Sequence, residues 1–261
     1  MSNHSIEFKI EEKTAWITLN RPEVFNSFNR EMALALQGKL DECESNPDIR
    51  AIVITGNGKA FCAGQDLKEV TTPELNPGFK KILEEHYNPI ISRIRSIEKP
   101  IVAAVNGVAA GAGANIALAC DVVVASEHAS FIQAFSKIGL IPDSAGTFFL
   151  PRLIGLQKAS ALMMLGDKVS AHEALSLGLV YKVFSSEEFA EAIAKLATTL
   201  SLMPTKALGM TKRLLNASMT NDLNAQLEME SRLQIEAAQS NDYAEGVAAF
   251  VEKRRPNFKG Q

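Results

Sequence analysis

Apolar and polar residues alternate at the start of the chain, with Ile6, Phe8 and Ile10 followed by Ala15, Ile17 and Leu19 across a polar break at 11 to 13. A period of two predicts a pair of strands joined by a turn. Asn20-Arg21-Pro22 stops the second strand. From Arg30 the pattern changes: Met32, Leu34, Leu36, Leu40 and Cys43 recur at near-helical spacing until Asn46-Pro47. Then comes AIVITG (51 to 56), a short apolar run with a glycine stop, which reads as a buried strand. A helical segment over 78 to 97 leads to a second buried strand, IVAAVNG (101 to 107). The small-residue run GVAAGAGANIALACD (107 to 121) precedes a third, DVVVAS (121 to 126). Strand and helix in alternation predict an α/β fold with a mostly parallel sheet. From Lys158 onward the pattern is mainly helical, through 157 to 167, 170 to 178, the stretch after Ser186, and the span from 204 to 253.

Composition narrows this picture. With 261 residues, 46% hydrophobic and 22% charged, the chain has ordinary globular make-up and enough length to bury a large core. A net charge of -3 offers no basic footprint for nucleic acid. The three cysteines, Cys43, Cys62 and Cys120, are widely spaced and form no Cys-x-x-Cys pair. The N-terminus is polar, and no apolar run approaches the ~20 residues that span a bilayer. A cytoplasmic protein with neither nucleic acid nor membrane as partner is the expectation.

Candidate chemistry lies in three stretches. GKAFCAGQDL (58 to 67) and NGVAAGAGAN (106 to 115) each place small residues just after a buried strand. The second opens a helix whose first N–H groups have no internal partner. Two such loops side by side can converge N–H donors on one oxygen, although Gly-Ala runs also serve close packing alone. The third, GLIPDSAGT (139 to 147), carries Asp143. Here Asp143 or Ser144 as the N-cap of a helix competes with Asp143 as a carboxylate perturbed by apolar neighbours, Ile141, Phe148 and Phe149. The four histidines fall in unrelated contexts, so no metal set is expected. No G-x-S-x-G elbow, G-x-G-x-x-G fingerprint or Walker loop is present. Cys62, without a histidine nearby in sequence, is expected to pack rather than react.

Together LNRPEVFNSFN (19 to 29), GKAFCAGQDL (58 to 67), KPIVAAVNGVAAGAGANIALACD (99 to 121), FSKIGLIPDSAGTFFLPRLIG (135 to 155) and EGVAAFVEKRRPNFKG (245 to 260) resemble the enoyl-CoA hydratase/isomerase, or crotonase, superfamily, in the family's own order. The resemblance implies a ββα spiral core over 1 to 200 and a helical oligomerisation region over 201 to 261. It implies a trimer or a dimer of trimers, an acyl-CoA thioester as substrate, and no cofactor beyond the CoA carried by that substrate. The backbone N–H groups of Gln65 and Ala112 fall where the family polarises the thioester carbonyl. Ala63, Asp66, Leu67 and Lys253 match positions around the CoA portion. Many relatives have a basic residue near 24, where this chain has Val24.

The two glutamates of the family's hydratases match Asn115 and Phe135, neither of which ionises, and Asp143 stands where several relatives carry a single acid. The resemblance therefore implies an isomerase, shifting a double bond or opening a ring epoxide in an enoyl- or epoxyphenylacetyl-CoA thioester, as in phenylacetate degradation or fatty acid metabolism. A hydratase working with Asp143 alone and a non-catalytic acyl-CoA-binding subunit stay open as alternatives. A dehalogenase branch pairs an acid at this position with a histidine and a tryptophan, where this chain has Asn88 and Phe135.

Overall fold

The computed structural model describes residues 4–261, so the first three residues of the expected 1 to 200 core lie outside it. The alternating start forms an antiparallel hairpin of β1 (Ile6–Glu11) and β2 (Thr14–Leu19), turned through Glu12 and Lys13 at φ 45° and 70°. Both values match a two-residue hairpin turn that follows the strand twist. The helix Arg30–Ser45 follows, its first turn capped by Asn29, whose side chain accepts the Met32 N–H at 3.0 Å. It returns the chain to β3 (Ala51–Gly56), parallel to β2.

From β3 the chain repeats one unit. A strand in the main sheet is followed by a three-residue strand in a second sheet and then by a helical turn. β3 is followed by β4 (Ala60–Cys62) and the helix Leu67–Thr71. β5 (Ile101–Val105) is followed by β6 (Val108–Ala110) and the helix Ala112–Ala119. β7 (Val122–Ser126) is followed by β8 (Ser130–Ile132) and a 3₁₀ turn, Ala134–Ile138. β9 (Lys168–Ser170) and β10 (Lys182–Phe184) complete sheets ordered β4-β6-β8-β9 and β1-β2-β3-β5-β7-β10. This is the expected α/β architecture, a spiral of ββα units. Three residues are too few to print a period on the sequence, so the second sheet leaves no trace in the hydrophobic pattern and is implied only by the resemblance.

The continuous apolar runs of β3, β5 and β7 are explained by burial on both faces. One face packs Ile52, Ile54, Ala103, Val105 and Ala125 into the main core. The other packs Val53, Val102, Ala104 and Val124 against Ile193 and Ala197 of the helix Phe189–Leu202.

Beyond Pro204 the helices Thr205–Ser218, Leu223–Ala238 and Asn241–Glu252 are tied to the core by polar contacts. Lys212 Nζ pairs with Asp121 at 2.8 Å, and the Arg50 guanidinium donates to Thr205 Oγ1 at 2.9 Å and to the Phe258 carbonyl at 2.8 Å. These helices keep Leu223, Tyr243 and Phe250 exposed, the last to 87%. Among the described residues no helix is long and apolar enough to cross a membrane.

Candidate active site

The chain leaving β4 runs alongside Phe28. The Phe28 N–H donates to the Gly64 carbonyl at 2.7 Å, and the Asp66 N–H donates to the Phe28 carbonyl at 2.8 Å, a parallel bridge between Phe28 and Gln65. In such a bridge the flanking residues supply both bonds, which leaves the N–H of Gln65 itself directed away from Phe28. The second donor position, Ala112, is the first residue of its helix, so its N–H has no intrahelical partner and lies at the positive end of the helix dipole.

Glycine lets the two loops meet. A Cβ on Gly113 would lie 2.4 Å from the Cys62 carbonyl oxygen, so only hydrogen there allows the helix to seat on the first loop. Gly64 has φ +93°, and a Cβ on it would lie 3.0 Å from the Ala110 oxygen and 3.5 Å from the Ala112 nitrogen. The space above the Ala112 N–H is therefore open because residue 64 lacks a side chain.

That space belongs to a cavity of about 450 Å³, which Gln65, Ala112 and Asp143 line together with Ile82, Tyr87 and Phe135. Asp143 is the one carboxylate in the lining among the described residues. It does not cap a helix. The following helix, Gly146–Ile154, has Ala145 at its N-cap with no side-chain cap, so the helix-start reading of Asp143 and Ser144 is set aside. Instead Ser144 and Ala145 both adopt left-handed backbone, at φ 50° and 57°. For residues with a Cβ this conformation costs on the order of 1–3 kcal/mol each and is held only where the surroundings enforce it.

Burial raises the Asp143 carboxyl to about 6, against the partial opposition of a 2.9 Å hydrogen bond from the Ser144 hydroxyl and one from its own backbone N–H. The apolar environment comes from the cavity and not from the sequence neighbours. Ile141 is 83% exposed, and Phe148 stacks edge-on against Phe149 with centroids 5.2 Å apart.

The other expectations divide. Ala63 and Leu67 line the cavity. Asp66 does not, because its carboxylate caps the helix Leu67–Thr71 and pairs with Arg21 at 2.8 Å. Lys253 ends the helix Asn241–Glu252 as an exposed left-handed cap and is absent from the lining. Cys62 is fully buried, and burial pushes its thiol up to about 12, which fits the packing role. Asn115 is buried with its amide turned to the Asp143 backbone, while Phe135 lines the cavity. Two polar lining residues were not singled out in the sequence, Tyr87 and the exposed Lys137. Tyr87 lies outside every motif and is brought here only by the fold, whereas Lys137 sits within the run at 135 to 155.

The spiral of ββα units thus brings Gln65, Ala112 and the raised Asp143 carboxyl to the wall of one cavity. The chain belongs to the enoyl-CoA hydratase/isomerase family, whose model matches residues 9–261. It is 43% identical over 254 residues to the 1,2-epoxyphenylacetyl-CoA isomerase of Escherichia coli K12, covering 97% of each chain. It is 44% identical over 261 residues to a Rhodobacter capsulatus protein named a probable enoyl-CoA hydratase, covering 100% of each. Among solved structures, an enoyl-CoA hydratase from Polaromonas sp. JS666 superposes with a TM-score of 0.90 at 36% identity, over 97% of this chain and 99% of that one.

Proposed function

We propose that this protein is an acyl-CoA isomerase that moves a proton through an enolate, with Gln65 and Ala112 holding the thioester oxygen and Asp143 carrying the proton. The observation that carries the reading is the lone carboxylate in the cavity. On a 3-enoyl thioester, Asp143 takes a proton from C2 and the negative charge moves onto the carbonyl oxygen between the two N–H groups. Collapse of the enolate re-forms the carbonyl, shifts the double bond to C2–C3, and C4 receives the proton from Asp143. The residue ends as it began. Hydration would require a group to activate water and another to manage the proton at C2, and Asn115 and Phe135 supply neither. The apolar wall of Tyr87, Phe135 and Ile82 suits a flat aromatic-derived acyl group such as a ring epoxide of phenylacetyl-CoA.

For the CoA portion the reading uses Ala63 and Leu67 at the cavity, Lys137 at the same wall, and Lys253 supplied by a neighbouring copy in a trimer or dimer of trimers. The exposed Phe250 and Tyr243 support such an assembly.

The test incubates the protein in ¹⁸O-water with a 3-enoyl-CoA, the ring epoxide of phenylacetyl-CoA, and crotonyl-CoA. Rearranged products without ¹⁸O support the isomerase. A second reading, a hydratase working with one acid, is favoured by the hydratase name of the Rhodobacter relative. It predicts ¹⁸O in a hydroxyacyl product from crotonyl-CoA. Binding of all three thioesters with no turnover would leave a binding subunit.

A further inference from the structure

The cavity wall carries a buried phenol hydroxyl that this chemistry leaves unused. Tyr87 is fully buried, lines the cavity, and donates its O–H to Gln65 Oε1 at 2.8 Å. Gln65 Nε2 donates in turn to Glu69 Oε2 at 2.7 Å, and Glu69 Oε1 accepts the Arg30 backbone N–H at 2.7 Å. Both ends of the Gln65 amide are thus held, and the chain of bonds ends on the backbone at a helix start. Burial pushes the Tyr87 hydroxyl well above its ordinary value, so it remains a donor throughout the working pH range.

The backbone goes out of its way to deliver this hydroxyl. Ile82–Tyr87 is a π-helical turn, closed by the Asn88 N–H on the Leu83 carbonyl five residues back. Such turns are rare and concentrate at functional sites. The Tyr87 ring also meets Phe28 edge-on with centroids 6.0 Å apart, and Phe28 is the residue whose backbone bridges Gln65. Tyr87 therefore holds the loop twice, by its ring on the bridge partner and by its hydroxyl on the Gln65 side chain.

We infer that Tyr87 is a positioning residue that fixes Gln65 and with it the aim of the Gln65 backbone N–H at the thioester oxygen. The inference rests on the proposed role of Gln65 as an oxyanion donor. A donor stabilises developing charge only when it points at where that charge appears, so a loop free to rotate would bind the thioester and lose rate.

The test uses Tyr87→Phe, which keeps the ring on Phe28 and removes the donor, and Gln65→Leu, which removes the acceptor. Turnover of an isomerisable enoyl-CoA is measured beside the infrared carbonyl stretch of a bound, ¹³C-carbonyl saturated acyl-CoA. The wild type is expected to lower that stretch on binding. Tyr87→Phe should give back part of the lowering and lose kcat by on the order of ten- to a hundredfold, with KM little changed. Gln65→Leu should do the same, and the double variant should be no worse than either single one. Wild-type kcat and carbonyl frequency in Tyr87→Phe, or in Gln65→Leu if the tyrosine variant fails to fold, would overturn the inference and leave the oxyanion reading standing. No lowering in the wild type would overturn the oxyanion reading itself.

Discussion

Asn115 Nδ2 donates to the backbone carbonyl of Asp143 at 2.9 Å. The other end of the same amide, Oδ1, accepts from Gln133 Nε2 at 2.7 Å, deep in the core. Gly146 closes the arrangement, since a Cβ there would lie 2.3 Å from the Asn115 amide nitrogen. A position that the family resemblance matches to a reacting acid is used here as an anchor. It holds the strained turn at Ser144 and Ala145 that presents Asp143 to the cavity.

Removing that anchor should cost both stability and rate. Asn115→Ala removes the acceptor of Gln133 Nε2 and leaves the Asp143 carbonyl with the Gly146 N–H alone, and an unsatisfied buried group costs about 1–3 kcal/mol. Urea unfolding should report a loss in this range. Because Asn115 does not line the cavity, kcat should fall while acyl-CoA affinity, measured by calorimetry, stays near wild type.

Gly64→Ala tests the oxyanion geometry from the other side. The new methyl group would sit in left-handed backbone, 3.0 Å from the Ala110 oxygen and over the Ala112 nitrogen. Loss of one oxyanion donor costs on the order of 10²–10³ in rate, and steady-state kinetics should show a fall of that size in kcat for a protein that still folds.

The pH dependence follows from Asp143. As the proposed base it would work deprotonated, so kcat/KM should rise with pH and level off above about 6. Stability runs the opposite way. The carboxyl is raised from 3.8 to about 6, so the folded state holds the proton more tightly than the unfolded one. The carboxylate therefore opposes folding: the penalty is absent below the ordinary value, grows between the two, and is complete above the folded one. At 1.36 kcal/mol per unit its full size is about 3 kcal/mol. Asp143→Asn should accordingly be inactive yet up to about 3 kcal/mol more stable than wild type at pH 8, with little gain near pH 4, as read by urea midpoints at both pH values.

Much of this fold was legible in the sequence because its long elements carry clear periods. The hairpin, the buried strands and the helix Arg30–Ser45 each fall where alternation, apolar runs or near-helical spacing place them. The two loops that meet at Gly64 and Gly113 were legible because small residues after strands are a local signal. What stayed hidden is non-local. Tyr87 meets Gln65 only because a π turn rotates it there, and a change of helical period leaves no mark in residue identities. Asp143 owes its perturbed carboxyl to cavity walls from distant segments, whereas Ile141 beside it faces outward. The Asp66 carboxylate is held by Arg21, which lies far back in the chain, a pairing that no local pattern announces.

In the proposed reaction one carboxylate, Asp143, moves a proton on the carbon next to a thioester held by Gln65 and Ala112. The most direct measurement is proton NMR of C2 exchange in phenylacetyl-CoA dissolved in deuterated water, with wild type and Asp143→Asn side by side and binding of the thioester measured for both. The wild type should catalyse loss of the C2 proton signal, and Asp143→Asn should leave that signal intact while retaining affinity. Exchange at the wild-type rate in Asp143→Asn would contradict the proposed reaction.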